Sequence, residues 1–247
     1  MINRKYRLIH YIESAILSLY SIIFLILIVS GKISEFIHPR YIIILAAASI
    51  AGIIISIKRF KEKSISHHHG KPILRISLMI FPLFLAFVSR NMKADFSESA
   101  GGKEIIVDKS VSYGFGKNDD MLEYRNKELI VLTDDNFLKV TQDIYDNPKL
   151  YLDKKITYTG TVMKKKFSGR KDELAVVRMV MVCCAADLAP SGFICRYDNA
   201  YEIENNSWQT ITGIITVETS SDGDFPLLRI LDVRHAEKPD QEYLYPF

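Results

Sequence analysis

The chain has 247 residues, of which 48% are hydrophobic and 25% are charged, and its formal net charge is +3. That charge is unevenly distributed: residues 1–89 carry 11 Lys and Arg against three Glu, whereas residues 90–247 are net −5. This asymmetry argues against one uniform soluble domain. It predicts a basic membrane unit over residues 1–89 and a separate water-soluble part after it.

Three apolar runs lie in the first part, near residues 8–30, 41–57 and 73–89. A bilayer core needs roughly 20 apolar helical residues, with a lower limit near 17. The first two runs lack the polar stripe expected of a core helix in a soluble protein. The third run is weaker because it contains Arg75 and Pro82, and a re-entrant or interfacial helix is the alternative. We predict three membrane-spanning helices.

The cations predict how these helices are oriented. Most of those in the first part precede the first run or lie between the second and third: Arg4, Lys5, Arg7, Lys58, Arg59, Lys61, Lys63 and Lys71. Basic loops remain in the cytoplasm, so the N-terminus and residues 58–72 are predicted to be cytoplasmic. With three spans, the chain is a multi-pass protein of the cell membrane whose C-terminal domain is extracytoplasmic. If the third run does not cross, that domain is cytoplasmic instead.

Residues 90–128 are mixed and polar, which predicts a linker before a soluble domain over residues 129–247. One helix opens this domain. Thr133 is expected to cap it. Four apolar residues then follow at helical spacing, and Asn147-Pro148 ends the helix: Phe137, Leu138, Val140 and Ile144.

Strand patterns fill the rest of the soluble domain, at residues 155–166, 174–184, 193–197, 207–219 and 227–235. Ile156, Tyr158, Gly160 and Val162 alternate onto one face, and Gly160 and Gly213 are candidate bulge or bend points. Five antiparallel strands behind one helix predict a mainly β domain, a small OB-like barrel, with a β-sandwich as the alternative. Because this part is net acidic, a nucleic-acid partner is not expected.

The most unusual local pattern is Cys183-Cys184-Ala185-Ala186-Asp187 at the end of the second predicted strand. Thiolates and a carboxylate can bind zinc or another soft or borderline metal. Adjacent strand residues point to opposite faces, so two thiolates can share one ion only if the strand breaks here. Two alternatives remain open: small buried residues, or a disulfide involving Cys195.

A second candidate metal contact is the tract His67, His68 and His69 in the predicted cytoplasmic loop. Neutral imidazoles bind zinc, nickel or copper, and short His tracts bind such ions weakly. A solvated loop near the headgroups is the alternative. The sequence contains no GxSxG, HExxH, phosphate-binding loop or dinucleotide fingerprint, so we do not expect an enzyme.

The chain resembles the YcgQ-type family of proposed two-component permease subunits. The resemblance includes Gly31-Lys32-Ile33-Ser34, Ile37-His38-Pro39-Arg40, the His tract and the third apolar run. It continues through Arg178, the Cys183–Asp187 motif, Pro190, Gly192, Trp208, Gly213 and the segment Glu242-Tyr243-Leu244-Tyr245-Pro246. Cys195 is not part of it.

The resemblance implies an accessory subunit that pairs with a larger polytopic permease in the bacterial cytoplasmic membrane. It also implies transport of a metal ion or related solute. On this reading the membrane unit contacts the lipid bilayer and the permease, and Cys183, Cys184 and Asp187 form the functional site. The alternative hypothesis is a membrane-tethered thiol protein that uses the Cys183-Cys184 pair in redox chemistry.

Overall fold

The structure, a computed structural model, describes residues 2–61, 76–81, 121–164, 172–220 and 223–246. The chain divides into two compact units. The first comprises Met1–Ala94 together with Cys183–Ala185, and the second comprises Asp95–Val182 and Ala186–Phe247. Most of the predicted linker, residues 90–128, lies outside the described residues, but its last part forms a helix.

Two long helices, α1 (Ile2–Val29) and α2 (Ile42–Lys61), form most of the described first unit. Within them and the turn before α2, Leu8–Val29 and Pro39–Lys61 are long and apolar enough to cross a membrane. They correspond to the first two predicted runs. The connection between them begins at Gly31, whose φ of 72° is left-handed, and contains two short 3₁₀ helices, Lys32–Glu35 and Pro39–Tyr41.

Small residues line the contact between α1 and α2. We call this contact the serine seam and define it by Ser14, Ser18, Ser21, Gly52 and Ser56. The hydroxyl oxygens of Ser18 and Ser56 lie 2.6 Å apart, and the Ser56 hydroxyl donates to the Ser14 carbonyl at 2.7 Å. A Cβ at Gly52 would lie 2.3 Å from the Ser21 Oγ. The backbones approach closely because no large side chain stands between them, as is common for helices packed in lipid.

Only residues 76–81 of the third predicted span are described, and they are helical. The Tyr20 hydroxyl, on α1, donates to the Met79 carbonyl at 2.6 Å. The remainder of the 73–89 run lies outside the described residues. Two helices, not three, therefore meet the length criterion for a span in the part of the chain that is described.

The second unit contains two helices and seven strands. The helices are α3 (Met121–Asn126) and α4 (Phe137–Asp146). The strands are β1 (Leu129–Val131), β2 (Lys155–Met163), β3 (Glu173–Val180), β4 (Ala189–Arg196), β5 (Trp208–Ser220), β6 (Gly223–His235) and β7 (Tyr243–Leu244).

Five of these strands close into a ring in the order β2-β5-β6-β4-β3, with β3 pairing back to β2. The β4–β6 pair is parallel, and the other four pairs are antiparallel. The mainly β domain agrees with the sequence-based prediction, and the sheet closes on itself, which an open two-sheet sandwich does not do. The prediction that all five strands are antiparallel is wrong at the β4–β6 pair. The register shift between Thr212 and Gly213 confirms the predicted bulge.

The barrel core is formed by the alternating faces that the sequence predicted. Ile156, Tyr158 and Val162 of β2 are buried, and so are all four apolar residues predicted for the α4 face. The predicted helix cap is wrong. The helix starts at Phe137, after Asn136 at its N-cap, and the Thr133 carbonyl accepts from the Phe137 amide at 2.9 Å.

An ion pair joins the helices of the second unit. Arg125 of α3 donates from Nε to an Asp143 carboxylate oxygen on α4 at 2.9 Å, and the Tyr151 hydroxyl donates to the same carboxylate at 2.5 Å. Burial would raise the pKa of Asp143, but hydrogen bonds from Arg125 and Tyr151 outweigh it and lower the pKa below its ordinary value. This network is a structural staple, and we call it the Arg125 staple.

Two predicted strand boundaries differ from the structure. The strand predicted over residues 174–184 ends at Val180. The Met181 amide still donates to the Leu244 carbonyl at 2.9 Å, but the Val182 amide turns to Asp187 Oδ1. Residues 190–192, predicted as a loop, belong to β4. A Cβ at Gly192 would lie 2.2 Å from the Val176 carbonyl oxygen. This glycine therefore allows two strands to approach closely, and it does not mark a turn.

Candidate metal site at the cysteine loop

The residues that follow β3 form a tight loop, residues 182–187, which we call the cysteine loop. The Val182 amide donates to Asp187 Oδ1 at 2.8 Å, so the carboxylate at the end of the loop caps its beginning. A 3₁₀ helix, Ala185–Asp187, makes the turn between them. The strand has therefore ended before either cysteine. Two adjacent thiolates can share one metal ion only if the strand breaks there, and this condition is met.

The two thiols of the loop lie on the same side. Cys183 Sγ and Cys184 Sγ are 3.7 Å apart, whereas strand geometry would direct them to opposite faces. A tetrahedral ion with metal–sulfur bonds of about 2.3 Å would separate two thiolates by about 3.8 Å. The sulfur–sulfur distance thus matches one edge of a zinc coordination tetrahedron.

The carboxylate of Asp187 completes a group of three candidate ligands. Its oxygen and the two sulfur atoms all lie within 4.8 Å of one another; Cys183 is exposed, and Cys184 and Asp187 are half-buried. A carboxylate has two oxygens, so the hydrogen bond from Val182 leaves ligation chemically feasible. Three protein ligands at an accessible position suit an ion that also keeps an exchangeable ligand, whereas structural zinc sites have four protein ligands.

Residues Cys183–Ala185 belong to the first compact unit, where their backbone pairs with the connection between α1 and α2. The His38 amide donates to the Cys183 carbonyl at 3.1 Å, and the Ala185 amide donates to the Phe36 carbonyl at 2.8 Å. Ile37 and Cys184 form an antiparallel bridge. Within the first unit, Phe36–His38 and Cys183–Ala185 therefore pair although they are far apart in sequence.

The side chain of His38 is not one of the three grouped ligands. Its Nδ1 accepts a hydrogen bond from the Arg40 amide at 3.0 Å. A neutral imidazole that accepts at Nδ1 carries its proton on Nε2, so neither nitrogen presents a lone pair to a metal in this arrangement. His38 instead contributes its backbone amide, a role that sequence reasoning did not find.

Cys195 lies apart from this site. It is fully buried in β4, and burial raises the pKa of its thiol to about 12. Its Sγ is 3.4 Å from the Phe193 carbonyl oxygen, a contact typical of a packed thiol. No disulfide joins any two of the three cysteines, all of which are described. The disulfide alternative is therefore not observed. The other alternative, that Cys183 and Cys184 are small buried residues, does not describe an exposed Cys183 and a half-buried Cys184.

The remaining predicted ligands, His67, His68 and His69, lie outside the described residues, and their contribution stays a prediction. One further charged residue, Arg178, lies in a strand that is otherwise apolar, and the sequence did not predict its partners. Arg178 of β3 is 4% exposed and contacts the Asp134 carboxylate at 2.5 Å and the Gln241 carbonyl at 2.6 Å. Its guanidinium also lies 5.4 Å from the centroid of the Trp208 ring.

Comparison with known proteins places both parts of the chain in one family. The DUF1980 C-terminal domain matches residues 109–246, and the DUF1980 N-terminal domain matches residues 12–104. The chain is 30% identical over 125 residues to the UPF0703 protein YcgQ of Bacillus subtilis, which covers 50% of this chain and 44% of that protein.

A second relative comes from Streptococcus mutans and is named as a candidate subunit of a two-component membrane permease complex. It is 23% identical over 127 residues, covering 50% of this chain and 45% of its own length. The matched regions thus span about half of this chain and less than half of either relative.

Among solved structures, a small single-stranded DNA-binding protein from Mycoplasma pneumoniae aligns with 36% of this chain and 98% of its own, at 14% identity and a TM-score of 0.25. That similarity is too low to support an argument. The two domain matches and the relatives named above show that the chain belongs to the DUF1980 family, whose members include the YcgQ-type proteins.

Proposed function

We propose that this chain is a non-enzymatic accessory subunit of a bacterial membrane permease and that its barrel domain handles a metal ion or related solute outside the cytoplasm. The observation that carries the proposal is the group of three ligand atoms from Cys183, Cys184 and Asp187 within 4.8 Å. The printed name of the Streptococcus mutans relative supports a permease as partner.

The membrane part of the proposal is a three-span unit embedded in the lipid bilayer. Two helices meet the length criterion. The contact between Tyr20 and Met79 supports a third, because both residues lie near the middle of their apolar runs.

An extracytoplasmic position of the cysteine loop has two supports. The basic residues before α1 and after α2 favour cytoplasmic ends for both helices, which puts the connection between them outside. The backbone of Cys183–Ala185 pairs with that connection. A solute that arrives from outside would then meet the exposed Cys183 before it reaches the permease.

The barrel suits a binding role. Strands β2, β3 and β4 form a three-stranded meander, and the hairpin of β5 and β6 closes the ring between β2 and β4, with β4 parallel to β6. This order supports a barrel of the OB type. OB barrels often bind nucleic acids through basic grooves and stacking aromatics. The net charge of −5 over residues 90–247 favours a cationic ligand over a nucleic acid.

The experiment that tests the proposal measures metal in the full-length protein, purified in detergent under reducing, chelator-free conditions. About one equivalent of zinc or another thiophilic ion is expected, and it should be lost in Cys183→Ser, Cys184→Ser and Asp187→Asn. Cys195→Ala and Asp232→Asn are matched controls, because Cys195 is buried elsewhere and Asp232 lies on β6. Absence of metal at any added concentration would contradict the metal-handling role.

The same 3.7 Å sulfur–sulfur distance also favours the second candidate, a membrane-tethered thiol protein that cycles the Cys183-Cys184 pair between dithiol and disulfide. The two hypotheses differ under oxidation. A redox protein should form the vicinal disulfide reversibly at a defined potential and retain that behaviour in Asp187→Asn. A metal subunit should lose metal affinity in that variant.

A further inference from the structure

The cysteine loop begins where β3 meets the segment 241–244, which contains β7 and which we call the β7 segment. Tyr243 and Leu244 pair in parallel with Met179 and Val180. The Met181 amide then donates to the Leu244 carbonyl at 2.9 Å. The next amide, Val182, donates to the candidate ligand Asp187. Two consecutive amides are thus fixed by different parts of the chain, the first by the β7 segment and the second by the site.

Arg178 holds the β7 segment at this point. Its Nη2 donates to the Gln241 carbonyl at 2.6 Å, immediately before β7, and its Nη1 pairs with Asp134 at 2.5 Å. Arg178 lies in the same strand as Met179 and Val180, the two residues with which β7 pairs. One side chain therefore ties the loop after β1 and the β7 segment to the strand that leads into the cysteine loop.

Holding two segments together with a buried guanidinium costs desolvation free energy. Taking a charge out of water is unfavourable unless its partners are well placed, and an apolar side chain would often serve stability equally well. At 4% exposure, Arg178 contacts one carboxylate, one carbonyl and the face of Trp208, and each contact depends on direction. Its Nε is buried without a hydrogen-bond partner among the described residues, so the guanidinium is only partly compensated. The planar fork of arginine supplies that direction, whereas the single ammonium of lysine does not.

We propose that Arg178, Asp134 and the β7 segment form a latch that sets the position of the cysteine loop, with Arg178 as a positioning residue for the metal site. The latch acts on the cysteine loop through the Met181–Leu244 hydrogen bond, one residue before the amide that caps Asp187. Residues that orient metal ligands from outside the coordination shell typically change metal affinity by about 10–100-fold.

The effect on zinc rests on the proposed function, whereas the latch itself does not. The test uses the full-length protein in detergent and zinc alone as the probe. In Arg178→Lys we expect zinc affinity, measured by competition with a chromophoric chelator, to fall about 10-fold or more. Asp134→Asn should give a similar loss, because it removes the carboxylate that orients the guanidinium.

Arg125→Lys is the matched control, since Arg125 also pairs with a carboxylate in the second unit but belongs to the Arg125 staple. It should lower the melting temperature without changing zinc affinity. Equal zinc affinity in Arg178→Lys and the unaltered protein would overturn the proposal. So would an equal loss in Arg125→Lys, because the effect would then report general stability.

A second readout separates failure of the latch from failure of the metal site. Hydrogen exchange at the Met181 and Val182 amides should accelerate in Arg178→Lys relative to Arg125→Lys, with no metal present. If the unaltered protein binds no zinc, faster exchange still supports the latch while the proposed function fails. Unchanged exchange at both amides overturns the latch whatever the zinc result.

Discussion

The three cysteines lie in two environments, which differ in how far each thiol can reach solvent or a metal ion. Cys195 lies in the wall of the barrel, fully buried, with a thiol whose pKa burial raises to about 12. Cys183 and Cys184 lie in a loop beyond the strand end, with their sulfur atoms 3.7 Å apart and a carboxylate nearby. Backbone pairing makes the difference, because a thiol inside a closed barrel strand cannot reach solvent or a shared ion.

The largest expected effect is on thiol reactivity. In native protein, we expect a membrane-impermeant maleimide to label Cys183 at least about 1,000-fold faster than Cys195, because a core thiol reacts only when the barrel opens. Labelling of Cys183→Ser and Cys195→Ala, read by mass spectrometry, assigns the sites. If Cys195 is labelled at a comparable rate without denaturant, the comparison between the two environments is wrong.

The next effect is on metal affinity. Cys184→Ser should weaken zinc binding by about 100-fold or more, because loss of a ligand should exceed the 10–100-fold typical of residues outside the coordination shell. Cys195→Ala should leave the affinity within about twofold, since its sulfur faces the core. Chelator competition on the full-length protein measures both, and a similar loss in the two variants would contradict the assignment.

A smaller effect is expected on stability, where substitution of the buried Cys195 costs more than substitution of the exposed Cys183. Cys195→Ser should lower the free energy of unfolding of the barrel domain by about 2 kcal/mol, because it places a more polar hydroxyl at a fully buried position of the core. Cys183→Ser exchanges one exposed group for another and should change it by less than about 0.5 kcal/mol. Denaturant unfolding, followed by Trp208 fluorescence, measures the free energy of unfolding of both variants. Equal losses would contradict the difference between the two cysteine environments.

The smallest effect concerns Asp143, a half-buried carboxylate to which we assign a structural role, as we do to Cys195. The pKa of Asp143 is lower when folded than when unfolded, so its contribution is present above the unfolded value near pH 4 and is lost as pH falls through the folded value. Asp143→Asn should cost about 1–2 kcal/mol at pH 7 and reduce the acid dependence of stability. Denaturant unfolding of the unaltered protein and of Asp143→Asn at pH 7 and at pH 3 measures the loss in free energy of unfolding. An equal loss at both pH values would contradict the structural role of the Asp143 carboxylate.

Much of the fold was predictable because it follows from local periodicity. The apolar spacing of Phe137, Val140 and Ile144 predicts which face of α4 is buried, and alternation in residues 155–163 predicts the inner face of β2. The five core strands were found, with boundaries wrong by up to four residues. The missed ends of β4 and β6 pair with the preceding strand, so their boundary errors come from turn residues such as Pro190 and Gly192 that lie inside a strand.

The candidate site was only partly predictable. Cys183, Cys184 and Asp187 are close in sequence, so their residue types alone suggested a metal site. Sequence could not show that the strand stops at Val180 and that the Val182 amide turns to Asp187 Oδ1. The partners of Arg178 were equally inaccessible, because Asp134 and Gln241 lie 44 and 63 residues away along the chain. A lone arginine in an apolar strand was the one signal that pointed to them.

The serine seam of α1 and α2 has a consequence for experiments on the membrane part. Its contacts are neutral: hydroxyls bonded to hydroxyls or carbonyls, and a glycine pressed against Ser21. Dissolved ions screen charges but leave such contacts unaffected. Raising the ionic strength should therefore weaken the exposed ion pairs of the barrel domain while the seam persists. Salt thus offers a simple way to perturb one part of the protein without the other.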